Sequence, residues 1–201
     1  IREAIDLKLL PIHCLIRPRP GHFFYSKEEI KVIEKNILNA SELGCDGVVV
    51  GAHDQNFKLD FSLLKRWKTL AGSVKITFHR AFDVLVNPLD AINQLIDLGF
   101  DSILTSGQKE KAEEGIDNLN YWNTKFGSDI IIMPGSGVGV SNCKKFKKAG
   151  FKYIHLSAGE DIQPIPMPDG INQNLSFLKQ TIRHSNKQTL IDVVKALKSV
   201  E

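Results

Sequence analysis

The chain has 201 residues, 42% of them hydrophobic and 24% charged, with a formal net charge of +3. One soluble globular domain spanning 1–201 accounts for that length and composition. The charge is too mild, and the lysines too dispersed, for a nucleic-acid partner. No apolar run approaches the ~20 residues that span a bilayer, so no membrane partner is expected. Three widely spaced cysteines, Cys14, Cys45 and Cys143, form no CxxC pair. They read as reduced thiols in a cytoplasmic protein.

Ile1–Leu9 resembles the middle of an uncapped amphipathic helix, so upstream sequence is expected. Six short apolar segments follow, beginning at Pro11, Asp46, Lys75, Asp101, Asp129 and Lys152. Their spacings of 35, 29, 26, 28 and 23 residues each hold a loop and a helix. That rhythm predicts repeated βα units around a parallel sheet.

The intervals carry helix signals in order. Ser26 and Glu29 form a capping box, with Ile30, Ile33, Ile37 and Ala40 on one face and Gly44 as the stop. Asp60 caps the next helix, which places Leu64, Trp67 and Ala71 together. Asn87–Pro88 opens a third, closed by Gly99. Ala112, Ile116 and Leu119 mark a fourth, interrupted by Gly115. Ser141 opens a fifth that Gly150 closes. Gly159–Asn172 reads as a loop. Lys187–Val200 is a last amphipathic helix.

Six units fit either an open doubly wound sheet or a (β/α)8 TIM barrel whose first two units are missing. An open sheet usually buries both strand faces and gives continuous apolar runs. Here apolar and polar residues alternate, which favours the barrel. In Lys75–Asp83, KITFHRAFD, Ile76 and Phe78 face the helices while Thr77 and His79 face inward.

Sorting every strand in this way lists an inner lining. It contains His13, Leu15, Arg17, Thr77, His79, Ser102, Leu104, Ser106, Tyr153, His155 and Ser157. Polar groups converge at the C-terminal ends, where barrels carry their chemistry. Arg17 and Arg19, stiffened by prolines in RPRP, suit a carboxylate or phosphate. The alternative is that Arg17 and Arg19 simply pair with acids from the missing strands. His79 is a candidate general acid or base with Asp83 orienting it, or else a hydrogen-bonded lining residue. Arg80, Ser106 and Ser157 complete the group.

The segment Pro134–Val140, PGSGVGV, follows the fifth segment and precedes a helix. Gly135, Ser136 and Gly137 would let backbone approach an anion. The alternative is a pair of tight turns. The spacing matches neither GxGxxG nor a P-loop. No His or Cys pair has recognised metal-ligand spacing, which leaves any metal ligands unassigned. Cys14 falls on the helix-facing side of its strand, as a structural thiol would.

LIRPRPGHFFYS, ITFHRAFD, ILTSG, IIMPGSGV and HLSAG, in that order, resemble the CutC family of copper homeostasis proteins. The resemblance covers Pro11–Gly159. It implies a TIM barrel, a cytoplasmic homo-oligomer (dimer or tetramer), and copper as a ligand. It also implies two further N-terminal units carrying cysteine positions linked to copper. Two functions therefore stand open: intracellular copper handling, and an enzyme acting on a small anionic metabolite. A third is a scaffold without catalysis.

Overall fold

A computed structural model describes residues 1–7, 9–162, 166–179 and 181–200. Five strands form a parallel sheet: β1 (His13–Leu15), β2 (Gly47–Val50), β3 (Lys75–Phe78), β4 (Ser102–Thr105) and β5 (Ile131–Pro134). They lie side by side in chain order, β1-β2-β3-β4-β5. Among the described residues no strand returns across the start of the sheet, as it would in a doubly wound fold. Right-handed crossovers that always advance in one direction put every helix on the same face.

The core has that one-sided form. Val48, Val50, Ile76, Phe78, Ile103 and Ile132 belong to a single cluster with Ile33, Ile37, Leu64, Trp67, Ile92, Leu95, Leu119 and Trp122 from the helices. The intervening strand residues Thr77, Ser102 and Leu104 are buried outside that cluster. Thr77 and Ser102 are register partners on the inner face, and their hydroxyls bond at 2.7 Å. The alternation read from the sequence is the alternation of the fold.

The helices are α1 (Arg2–Asp6), α2 (Lys27–Glu42), α3 (Phe61–Ala71), α4 (Pro88–Asp97), α5 (Ile116–Phe126), α6 (Cys143–Lys148) and α7 (Lys187–Lys198). Ser26 and Glu29 make the capping box at α2. Asp60 accepts the Leu63 N–H at the start of α3. Pro88 occupies the first turn of α4.

Four expectations need correction. α5 starts at Ile116, so Ala112 lies in the preceding turn. The reason is Gly115: its backbone packs so tightly on Ser106 and Gly107 that a Cβ there would sit 2.0 Å from the Ser106 carbonyl. α6 is capped at Asn142, not Ser141. The sixth segment, 152–158, is not a strand. It makes one bond towards β5, from the His155 N–H to the Pro134 carbonyl at 2.8 Å. Finally, Gly159–Asn172 is not only loop. Gly159–Asp161 (β6) pairs antiparallel with Arg183–Ser185 (β7) as a separate ribbon, joined by an Arg183–Asp161 ion pair of 2.9 Å. Among the described residues the parallel sheet has five strands and is not closed. No helix among them is long and apolar enough to cross a membrane.

Candidate functional site

β3 ends at Phe78, and the chain turns at once into a short 3-10 helix, Arg80–Val84, whose N-cap is His79. The turn fixes the imidazole. Nδ1 accepts the Ala81 N–H at 3.1 Å. In the neutral ring the proton therefore resides on Nε2. Nε2 is buried and has no partner among the described residues. The side chain is 4% exposed. Burial first, and then the charge of Arg17, lower the His79 pKa to about 4. His79 is thus a neutral imidazole whose N–H donor is unused.

Room for this ring comes from Gly51, the residue just after β2. A Cβ at Gly51 would lie 2.5 Å from Nδ1, which no side chain could accept. Phe23, from the loop after β1, packs on the imidazole with centroids 4.8 Å apart. The Arg17 guanidinium lies over the same Phe23 ring at 4.7 Å. Arg17 also donates to the Gly21 carbonyl at 2.9 Å and remains exposed.

Sequence reasoning passed over His53. It is 2% exposed. Its Nε2 accepts the Phe23 N–H at 3.2 Å and its Nδ1 meets the Asp54 carbonyl at 2.7 Å. His53 stacks on Phe57 at 4.5 Å. Its role is to hold Phe23 against His79. The available signal was position: His53 follows β2 as His79 follows β3.

The other sequence candidates sit close by but are occupied. Arg19 donates through its five N–H groups to Glu29, the Pro20, His22 and Phe24 carbonyls, and Glu29 again. The Arg19 hydrogen bond holds the Glu29 carboxyl below the usual carboxylate range. Glu29 also closes the capping box, so this pair ties the β1 loop to α2. Asp83 does not orient His79. It accepts the Thr105 hydroxyl, the N–H groups of Ser106 and Gln108, the Ser106 hydroxyl and Arg80 Nε. Arg80 Nη2 reaches Ser106 Oγ at 3.1 Å. Asp83, Arg80 and Ser106 therefore clamp the end of β3 to the end of β4.

Beyond β5, Gly135 lies against Leu104 and His155; a Cβ there would be 2.4 Å from Leu104 Cδ1. Ser136 has φ +82° and donates its hydroxyl to the Glu110 carbonyl at 2.8 Å. Gly137 packs over Lys111, and its carbonyl accepts from Asn142 at 2.9 Å. Ser157 Oγ accepts the Gly159 N–H at 3.2 Å. The structure brings His79 and Arg17 together around Phe23. It uses the remaining candidates to fasten loops.

A model of the CutC family matches residues 1–160. The chain belongs to the CutC family. The family protein CutC of Proteus mirabilis is 42% identical over 160 residues, covering 80% of this chain and 64% of that protein. That of Pectobacterium atrosepticum is 40% identical, covering 80% and 63%. The chain thus spans a little under two thirds of the length of these curated relatives. A solved structure, the putative copper homeostasis protein CutC from Streptococcus agalactiae, superimposes with a TM-score of 0.73 at 31% identity over 77% of each chain. Family membership connects this chain with copper homeostasis by name.

The donors around His79 do not fit copper. The Nδ1–Ala81 bond places a proton on Nε2, where a metal would need a lone pair. Arg17 adds a cation beside it. Among the described residues, no three His, Cys, Asp or Glu side chains cluster as a metal site.

Proposed function

We propose that the C-terminal end of the sheet binds a small anionic metabolite, held by His79 Nε2–H and the Arg17 guanidinium. The unpartnered, buried Nε2 carries this reading. A buried donor without an acceptor costs about 1–3 kcal/mol, and an anionic oxygen would recover it. Arg17 supplies charge and Phe23 a dry wall. At neutral pH, with its pKa near 4, His79 acts as a neutral donor that polarises an oxygen. Its low basicity makes it a poor base there.

The same reading includes a closed (β/α)8 barrel, in which these five strands form one arc. Strand order and the one-sided helix layer support it. Free cysteines fit a cytoplasmic setting, and homo-oligomeric assembly follows the family expectation.

The test is thermal denaturation of the protein with inorganic phosphate, sulfate and malonate at pH 7. At least one anion should raise the melting temperature, and H79N and R17M should each abolish that rise. Equal shifts in all three proteins, or none in the wild type, would refute the site.

A second reading is copper handling, which the family name suggests. The observation favouring it is chemical: Cys14, Cys45 and Cys143 are all free thiols.

A further inference from the structure

Phe57, in the loop after β2, has φ +56°, in the left-handed region that bulky side chains avoid. Two ordinary reasons for a phenylalanine fail at this position. Glycine or asparagine would make the same turn with less strain. A phenylalanine placed for the core would be buried, whereas Phe57 is 43% exposed. The backbone is nonetheless held from both sides. Asp54 Oδ1 accepts the N–H groups of Asn56 and Lys58 at 2.8 and 2.9 Å. The Phe57 N–H donates to the Asp54 carbonyl at 3.1 Å, and the Phe57 carbonyl accepts the Val86 N–H at 3.0 Å. The ring is held as well. It stacks on His53 with centroids 4.5 Å apart and planes 21° apart. His53 in turn meets Phe23 edge-on at 6.2 Å, and Phe23 meets His79 at 4.8 Å. His53 thus covers one face of Phe57, and the ring's exposed part belongs to the other.

We infer that Phe57 is a platform on which the anion held by His79 and Arg17 lays a flat, conjugated group, so that the ligand class is an aromatic or otherwise planar carboxylate. This rests on the anion-binding reading of that site and adds what the rest of the ligand must be. Strained backbone persists where surrounding structure over-determines it, and such positions gather at ligand-binding sites. The Asp54 turn and the Val86 bond supply that over-determination here. A ring already immobilised by stacking has little freedom left to lose when a ligand covers it. Offset stacking rewards a flat partner over a puckered one. Along the end of the sheet the chain therefore presents Arg17 over Phe23, then His53, then Phe57. Charge stands at one end of this row and an open aromatic face at the other. An inorganic anion would engage the first end and leave the second uncovered.

Ligand-observed NMR titration of the whole protein at pH 7 compares butyrate and cyclohexanecarboxylate with benzoate and cinnamate. All four carry one carboxylate and differ in planarity. The planar pair should bind roughly 5–10-fold tighter than cyclohexanecarboxylate, and their ring protons should receive saturation from the protein. F57G, which suits the left-handed backbone, and F57L, which keeps apolar bulk, should each bring that ratio close to one. F57W should preserve it. R17M should weaken all four ligands together, which ties the platform to the anion site. A planar preference that survives F57G and F57L would overturn the inference. So would an equal weakening of every carboxylate by F57G, because Phe57 would then act only by bracing His53. Carboxylates that need His79 and Arg17 but show no preference for planarity would overturn the platform and leave the anion site intact. No binding of any carboxylate would overturn both.

Discussion

Asp83 grips Ser106 at three points: the Ser106 N–H reaches both carboxylate oxygens at 3.0 and 3.2 Å, and the hydroxyl reaches Oδ2 at 3.0 Å. The side chain of Asp83 is 8% exposed. It joins the turn after β3 to the turn after β4, and the loop carrying His79 inherits that rigidity. D83N should place an amide N–H against a donor and weaken the Arg80 pair. We expect a loss of about 2–4 kcal/mol in denaturant unfolding. A loss below about 0.5 kcal/mol would show that the clamp contributes little.

The buried imidazole makes stability depend on pH. His79 has a folded pKa lowered from 6.5 to about 4. Its stabilising contribution is therefore present above pH 6.5 and is lost as pH falls towards 4, where the unfolded chain binds the extra proton. The loss is at most about 3 kcal/mol. Urea unfolding of wild type and H79Q between pH 7.5 and 4 measures it. The difference between the two should shrink over that window, and a constant difference would contradict a neutral buried His79.

Gly51 is predicted to be intolerant because of what it faces. The added methyl of G51A would meet the His79 ring at 2.5 and 2.6 Å. We expect G51A to cost about 1–3 kcal/mol by overpacking. In the H79A background the same substitution should cost less, because the ring is gone and only the Ala81 Cβ, at 3.0 Å, still crowds the added methyl. A double-mutant cycle reads the coupling directly. Additive effects would mean that Gly51 is required for its backbone alone.

The Thr77–Ser102 hydroxyl pair sits on the inner face, both residues being buried. T77V leaves Ser102 without its partner and should cost about 1–2 kcal/mol. T77V with S102A removes both hydroxyls and should cost less than the sum of the single changes. Calorimetric melting of the four proteins decides this.

Much of the fold was legible because the parity of each strand is set by burial. Ile76 and Phe78 against Thr77 and His79 is enough to name both faces. The segment Lys152–Ser157 shows where that logic stops. Its alternation is correct, yet a strand also needs a partner for its ladder, and only His155 finds one. The site was legible by residue type and place but not by pairing. Arg19 and Arg80 stand at strand ends, as anion-binding groups would, and Asp83 stands where it could orient His79. Nothing in sequence says that Glu29 occupies the first, or that the other two serve Ser106. His79 was visible as a polar inward residue. Its lone donor depends on a turn geometry at Ala81 that no pattern announces.

The one-sided helix layer divides the chain's capacity for change. Helix-side residues such as Val48, Phe78 and Ile103 are locked by the core. Their inward neighbours Val49, His79 and Leu104 lie outside that cluster. Substitutions on the inner set can alter what the sheet recognises without disturbing what joins strand to helix. Divergent members of such a lineage can exchange ligands while keeping one scaffold, residue by alternate residue.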